Sequence, residues 1–174
     1  IATVTAAGQV ERSAWEDLCP NGHPFLNADF FTLLERHGTA GPACGWQARH
    51  RVATNAEGAL VGVLPTYVKA HSHGDFVRDW SWAAAYQQLG KTYYPKLFSG
   101  LPHTPASGPR LLVAAGNDSD QVKTRLIAEI KAAVADNGFS SWHVALPAAA
   151  EVDLLRAHGL LVSHDVQFHW RDHG

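Results

Sequence analysis

Charge of one sign, long apolar runs and cysteine are all scarce in this sequence, and each scarcity excludes something. The 174 residues carry 14 Lys+Arg against 16 Asp+Glu, a formal net charge of −2. There is no Lys/Arg run, so the chain lacks the electrostatic footprint with which proteins hold long polyanions, and nucleic acid is disfavoured as the main partner. No apolar run approaches the ~20 residues of a membrane-spanning helix. The N-terminus shows neither the basic start nor the apolar core of a signal peptide, so a cytoplasmic protein is expected. Two cysteines, Cys19 and Cys44, are too few for a disulfide framework and neither sits in C-x-x-C; free thiols in a reducing compartment are expected. The G-x-x-x-x-G-K-[ST] loop of nucleotide-binding proteins and the G-x-S-x-G nucleophile elbow are also missing.

What is present suffices for a folded domain. Hydrophobic residues make up 46% and charged residues 17% of the chain, which supplies a core and argues against disorder. The length fits one ordinary domain or part of a two-domain protein. Thr3 to Val10 suits a short strand, and Glu11 to Leu18 a short helix stopped by Pro20. Asn27 to His37 is a better helix: Asn27 is placed to cap it, Phe30, Phe31 and Leu34 form an apolar stripe, and Gly38 ends it. Gly45 to Ala53 and Ala59 to Ala70 read as two strands of a hairpin around the turn Asn55–Gly58. The run Ala59 to Leu64 is continuously apolar, as in a strand buried on both faces, and Pro65 limits ladder pairing. Asp75 to Gly90 suits a strand through Val77 and then a helix over Trp82 to Leu89. Gly100 to Gly108 is a loop and Leu111 to Ala115 a short strand. Asp118 to Asn137 is the clearest helix, with Val122, Leu126, Ile127, Ile130 and Val134 at helical spacing. A strand over Trp142 to Leu146, a helix over Val152 to His158 and an alternating strand over Leu160 to Trp170 complete the chain. Strands alternating with helices late in the sequence predict an α/β domain with a mixed sheet.

Chemistry-bearing residues concentrate between Tyr67 and Arg110. Lys69 and His71 are two apart, so a continuing strand would set a cation and an imidazole on one face. Such a pair can hold an anion or move a proton, and its alternative is a solvated strand end. His71 and His73 could also be two metal ligands, with Asp75, Asp79 and His103 available as further donors, although no familiar ligand spacing recurs. A second cluster runs Tyr93-Tyr-Pro-Lys-Leu97 and then His103 to Arg110. The tyrosines suit an amphipathic pocket wall. The loop offers Thr104, Ser107, backbone N–H groups near Gly108 and the Arg110 guanidinium to an anion; its alternative is a surface loop stiffened by Pro102, Pro105 and Pro109. The scattered His143, His158, His164, His169 and His173 fit structural or surface roles.

These clusters resemble a bacterial family of Fem-like predicted N-acyltransferases, or peptidoglycan biosynthesis/recognition proteins. The matching segments are Pro24-Phe-Leu26, the Phe31 to Gly38 helix, Gly45-Trp46, Arg49-His50, Pro65 to Ser72 and Gly74 to Val77. Asp79, Trp82-Ala83, Ala85-Tyr86, Tyr93 to Leu97, Thr104-Pro105, Gly108 to Leu112 and Phe168-His-Trp170 follow in order. The resemblance implies a GNAT-like mixed β-sheet flanked by helices, and transfer of an acyl or aminoacyl group to an amine. It implies no cofactor firmly, but acyl-CoA or aminoacyl-tRNA as the acyl donor, the latter being the one route by which nucleic acid enters. A small-molecule or peptide-like substrate is expected. On this reading His71 is the candidate catalytic base, and Lys69, Asp79, Trp82, Tyr86, Tyr93, Tyr94, Lys96, Thr104, Gly108 and Arg110 are candidate substrate-binding residues. Arg78 stands where the family usually has an aromatic, and His103 where it usually has Phe. The family's chains continue for about another domain past the Phe-His-Trp segment, so residues 1–174 are expected to form the N-terminal lobe of a two-lobed protein. The competing expectation is a binding module for a peptidoglycan-related peptide, without chemistry.

Overall fold

A computed structural model of the chain describes every residue except 21, 22, 74, 77, 78, 117, 167, 169, 173 and 174. Its strands are β1 (Ala2–Val4), β2 (Trp46–Ala48), β3 (His50–Thr54), β4 (Leu60–Leu64), β5 (Tyr67–Lys69), β6 (Lys96–Ser99), β7 (Leu112–Val113) and β8 (Trp142–Val144). The helices are α1 (Arg12–Glu16), α2 (Ala28–Arg36), α3 (Trp80–Gln88), α4 (Ser119–Asp136) and α5 (Ala149–Ala157), with short 3-10 turns at Ala7–Gln9 and Pro42–Cys44. This is a mixed α/β fold.

The strands form two four-stranded ladders, ordered β1-β3-β4-β7 and β2-β5-β6-β8. Each predicted hairpin strand is divided between them. Arg49 separates β2 from β3, and Pro65 with Thr66, where a ladder donor is missing, separates β4 from β5. The ladders stay joined at this break, because Arg49 N donates to the Thr66 carbonyl at 2.8 Å. β6 and β7 run antiparallel to β5 and β4 in turn, so the segment from Lys96 to Val113 lies along both ladders with residues 100–111 looped out between. β8 pairs in parallel with β6.

Alternating side chains feed two cores. Val52, Val63, Tyr67, Phe98 and Leu112 pack with Trp15, Leu26 and Phe31 from α1, α2 and the loop between. Ala53, Leu64, Leu97 and Leu111 pack with Leu126, Ile127, Ile130 and Leu155 from α4 and α5. β4 thus buries residues on both faces, as its unbroken apolar run predicts. Gly62 lets α4 approach: a Cβ there would stand 2.8 Å from Val122 Cγ1. The expected caps hold for α2, where Asn27 accepts from Phe30 N and Gly38 takes φ 75°.

Several expected elements differ. Asp75 and Phe76 lie outside any strand, and α3 starts two residues earlier than the expected Trp82. α5 begins at Ala149 rather than Val152. Between Leu160 and Trp170 the described residues form no strand; Leu161, Val166, Phe168 and Trp170 are exposed, and their alternation meets no neighbouring strand to pair with.

Candidate functional site

The site grows from two lysines inside the sheet. Lys69 and Lys96 lie directly opposite each other across β5 and β6, on the face that also carries Tyr67 and Phe98. Both are fully buried. Like charges in facing positions repel, and a buried ammonium needs a carboxylate close by. Each lysine has its own: Lys69 Nζ lies 3.0 Å from Asp75 Oδ2, and Lys96 Nζ pairs with Asp79 Oδ2. The segment after β5 brings both carboxylates back over the sheet. Lys69 also sits 3.4 Å above the centroid of the Trp46 ring, an additional cation–π contact.

Asp79 occupies the position before α3 yet gives the helix no side-chain cap. Its oxygens instead accept from Ser72 Oγ at 3.2 Å, Tyr93 OH at 3.1 Å and Tyr94 OH at 3.2 Å, besides Lys96. Burial works to raise the Asp79 carboxyl, but Lys96 and the hydroxyl donors outweigh it and hold its pKa below the ordinary value. Burial depresses both lysines, and their carboxylates partly offset this. Tyr93 is pushed up by burial and then by Asp79. His143 on β8 closes the cluster with Nε2 3.3 Å from Tyr93 OH and 3.0 Å from Ser141 Oγ. Burial first, and then the Lys96 charge, lower its pKa to about 4.

Beside this cluster a narrow cleft, with about 20 Å³ of room for water, opens at the C-terminal ends of the parallel strands β6 and β8. Trp46, Phe98, Leu146, Asp75, Thr104 and Arg110 line it. The Asp75–Lys69 pair is therefore the point where the buried charges reach the cleft.

Of the residues expected from sequence, Lys69, Asp79, Tyr93, Tyr94 and Lys96 come together in the charged cluster, and Tyr86 meets Tyr93 edge to face with ring centroids 5.1 Å apart. Thr104 and Arg110 line the cleft. Trp82 stands apart, 59% exposed on α3. Gly108 bonds through its N–H to the Leu146 carbonyl, and a Cβ there would strike His23. Arg110 is buried, and its guanidinium donates to the carbonyls of Ala106, Ala145 and Leu146. Its N–H and that of Leu111 donate to the Glu151 carboxylate. The arginine is thereby committed to holding loop 100–111 against the segment after β8.

The strand stops at Lys69, so His71 does not share its face by strand geometry. His71 Nδ1 accepts the His73 N–H at 3.3 Å, and its ring abuts Gly45, whose φ is 73°. His73 meets both His71 and Trp80 edge to face. Among the described residues no three His, Cys, Asp or Glu side chains are arranged to hold a metal ion. Arg78, Gly74, Val77, His169 and His173 lie outside the described residues. His103 takes φ 54° and bonds the Thr39 carbonyl.

Sequence reasoning missed Trp46, Ser72 and His143, and weighed Asp75 only as a metal ligand. A signal did exist for the carboxylates: a lysine within each of two buried strands requires one.

A mixed α/β fold with a buried charge cluster beside a cleft at parallel strand ends defines the class. More particularly, the chain belongs to the FemAB-like family, described as peptidoglycan biosynthesis/recognition, which it matches over residues 6–174. No curated protein and no solved structure matches it. Among the described residues no helix is long and apolar enough to cross a membrane.

Proposed function

We propose that this chain carries an N-acyl-transfer site of GNAT-like construction, acting on an amine of a peptidoglycan-related, peptide-like substrate. The observation that carries this reading is the Asp75–Lys69 pair at the wall of a cleft formed where β6 and β8 end in parallel. Open α/β sheets bind ligands beyond the carboxyl ends of their parallel strands. Family membership supports the substrate class. The order of elements, one strand, two helices, antiparallel strands interrupted by α3, a long helix, a parallel strand and a last helix, is compatible with a GNAT-like construction.

In the reaction the amine nitrogen attacks the acyl carbonyl carbon of a thioester or ester donor. A C–N bond forms, the bond to the leaving sulfur or oxygen breaks, and the nitrogen's proton must go to a base. Asp75 takes this proton and passes it to the leaving group. Lys69 pairs with the carboxylate and fixes it in place, and Trp46 and Phe98 exclude water. Asp75 replaces His71 in this role, since the lining of the cleft includes the former and not the latter. Acyl-CoA and aminoacyl-tRNA are the donors to be tried. Asp75→Asn is expected to lower kcat by about 100-fold or more, while Asp75→Glu retains part of it; an unchanged kcat in Asp75→Asn removes Asp75 from the mechanism.

One observation favours a second reading. The Arg110 guanidinium spans the loop after β6 and the segment after β8, the same place a donor would enter. A site closed in this way would bind a peptide-like ligand at its rim without turnover.

A further inference from the structure

β1 covers the outer edge of β3, with Ala2 to Val4 set against Val52 to His50. It does not continue alongside β2. Ala7 N donates to the Glu35 carboxylate at 2.7 Å, and the chain bends there into the turn Ala7–Gln9. β2 is therefore left as the first strand of its ladder, with β5 as its one neighbour. Along it lies a recess with about 380 Å³ of room for water. Trp46, Gln47 and Ala48 form one wall, and Thr5, Ala40 and Pro42 stand among the others. Glu35 lines the recess too, but its carboxylate is already held by His50, Tyr67 and Ala7. What the recess offers is the backbone of an uncovered strand.

Neighbouring bonds fix which backbone groups face outward. In an antiparallel ladder successive residues direct their N–H and C=O to opposite sides. Ala70 N donates to the Gly45 carbonyl at 3.0 Å, and Arg49 N to the Thr66 carbonyl at 2.8 Å. Gly45, Gln47 and Arg49 thus face the β5 side, and Trp46 and Ala48 face away from it, in the row that His50 and Val52 continue beside β1. The Trp46 N–H is taken by the Gly41 carbonyl at 3.1 Å. The Ala48 N–H and the carbonyls of Trp46 and Ala48 meet no partner among the described residues. Ala48 is only 7% exposed, so these are unpaired ladder groups at a sheltered edge, and leaving such groups unpaired is costly. Acceptor, donor and acceptor at strand spacing are the complement of an extended peptide backbone. The walls at Ala40, Pro42 and Ala48 suit small apolar side chains.

We propose that an extended peptide segment with small apolar side chains binds in this recess as an added strand on β2, in line with β1. The inference does not rest on acyl transfer, and binding is read with no acyl donor present. The probe is acetyl-trialanine amide, titrated into the isotopically labelled full chain while the Ala48 backbone N–H signal is followed. The control is the same peptide with its backbone nitrogens methylated, which keeps the side chains and removes the donors. The expected result is a saturable shift and slowed hydrogen exchange at Ala48 with the first peptide and neither with the second. Ala48→Pro removes an N–H that serves no ladder bond, a substitution that edge strands tolerate, and is expected to weaken binding by about tenfold. Its binding is read on the Gln47 N–H. Thr5→Trp, made at an exposed position on the rim, fills the recess without touching β2 and is expected to block binding while the α4 signals stay in place. No saturable shift in the unmodified chain, equal affinity for the methylated peptide, or undiminished affinity in Thr5→Trp overturns the proposal. A peptide-free chain that is already dimeric by sedimentation, with the Ala48 N–H protected from exchange, would assign this edge to a second copy and overturn it as well.

Discussion

At the scale of single residues the charged cluster is held by balance. Two facing lysines are tolerable in the sheet only because Asp75 and Asp79 each neutralise one, and Asp79 has Ser72, Tyr93 and Tyr94 as further donors. His143 fits this balance as a neutral ring: with Lys96 nearby and water largely excluded, its protonation is resisted. The sign of the consequence is fixed. The folded pKa of about 4 lies below the ordinary histidine value of 6.5, so between these values the unfolded chain binds the proton and the folded chain does not. Folding stability is therefore complete above pH 6.5 and declines as pH falls toward 4, with a slope of at most about 1.4 kcal/mol per pH unit. His143→Asn is expected to flatten stability across that window, which urea denaturation between pH 4.5 and 7 would reveal. A slope in the variant equal to that of the unmodified chain would show that His143 is not the titrating group.

At the scale of elements the loop between β6 and β7 is the part most dependent on specific partners. It interrupts what would otherwise be one strand, and α5 secures it through the Glu151 carboxylate on Arg110 N and Leu111 N. Glu151→Ala leaves two buried N–H groups without an acceptor, at a cost of about 1–3 kcal/mol each. The urea midpoint should drop with the slope unchanged; a midpoint that does not move would mean that water or a neighbouring group replaces the carboxylate.

The elements also show what periodicity can and cannot carry. α2 and α4 are legible because their signals are local: an Asn cap and a closing glycine for the first, apolar residues at helical spacing for the second. β4 is legible because burial on both faces leaves an unbroken apolar run. The segment Leu160 to Trp170 alternates as a strand would, but a strand also needs a partner ladder, and alternation says nothing about that. Its described apolar side chains remain exposed. The break of each hairpin strand into two ladders was foreshadowed only at Pro65. For the site, Lys69, Lys96, Asp79 and the tyrosines stand out as types and positions, whereas their pairing depends on how residues 70–79 fold back over β5 and β6. No fixed spacing records that path, which is why Asp75 was read as a metal donor and His71 as a base.

At the scale of the whole molecule, exposed aromatic groups gather in two places: Phe76, Trp80 and Trp82 around the start of α3, and Phe168 and Trp170 beyond α5. The cleft with Asp75 lies close to the first of these, since Phe76 lines it as well. Charge chemistry, an apolar wall and exposed rings thus adjoin one another at one end of the parallel strand pair. The most direct test of the central claim is mass spectrometry of a peptidoglycan-precursor peptide with a free amine, incubated with the protein and either acyl-CoA or aminoacyl-tRNA. The account predicts an acylated peptide with one of these donors, and its loss in Asp75→Asn. Saturable binding of the peptide with no acylated product from either donor would contradict it and leave a recognition module in place of an enzyme.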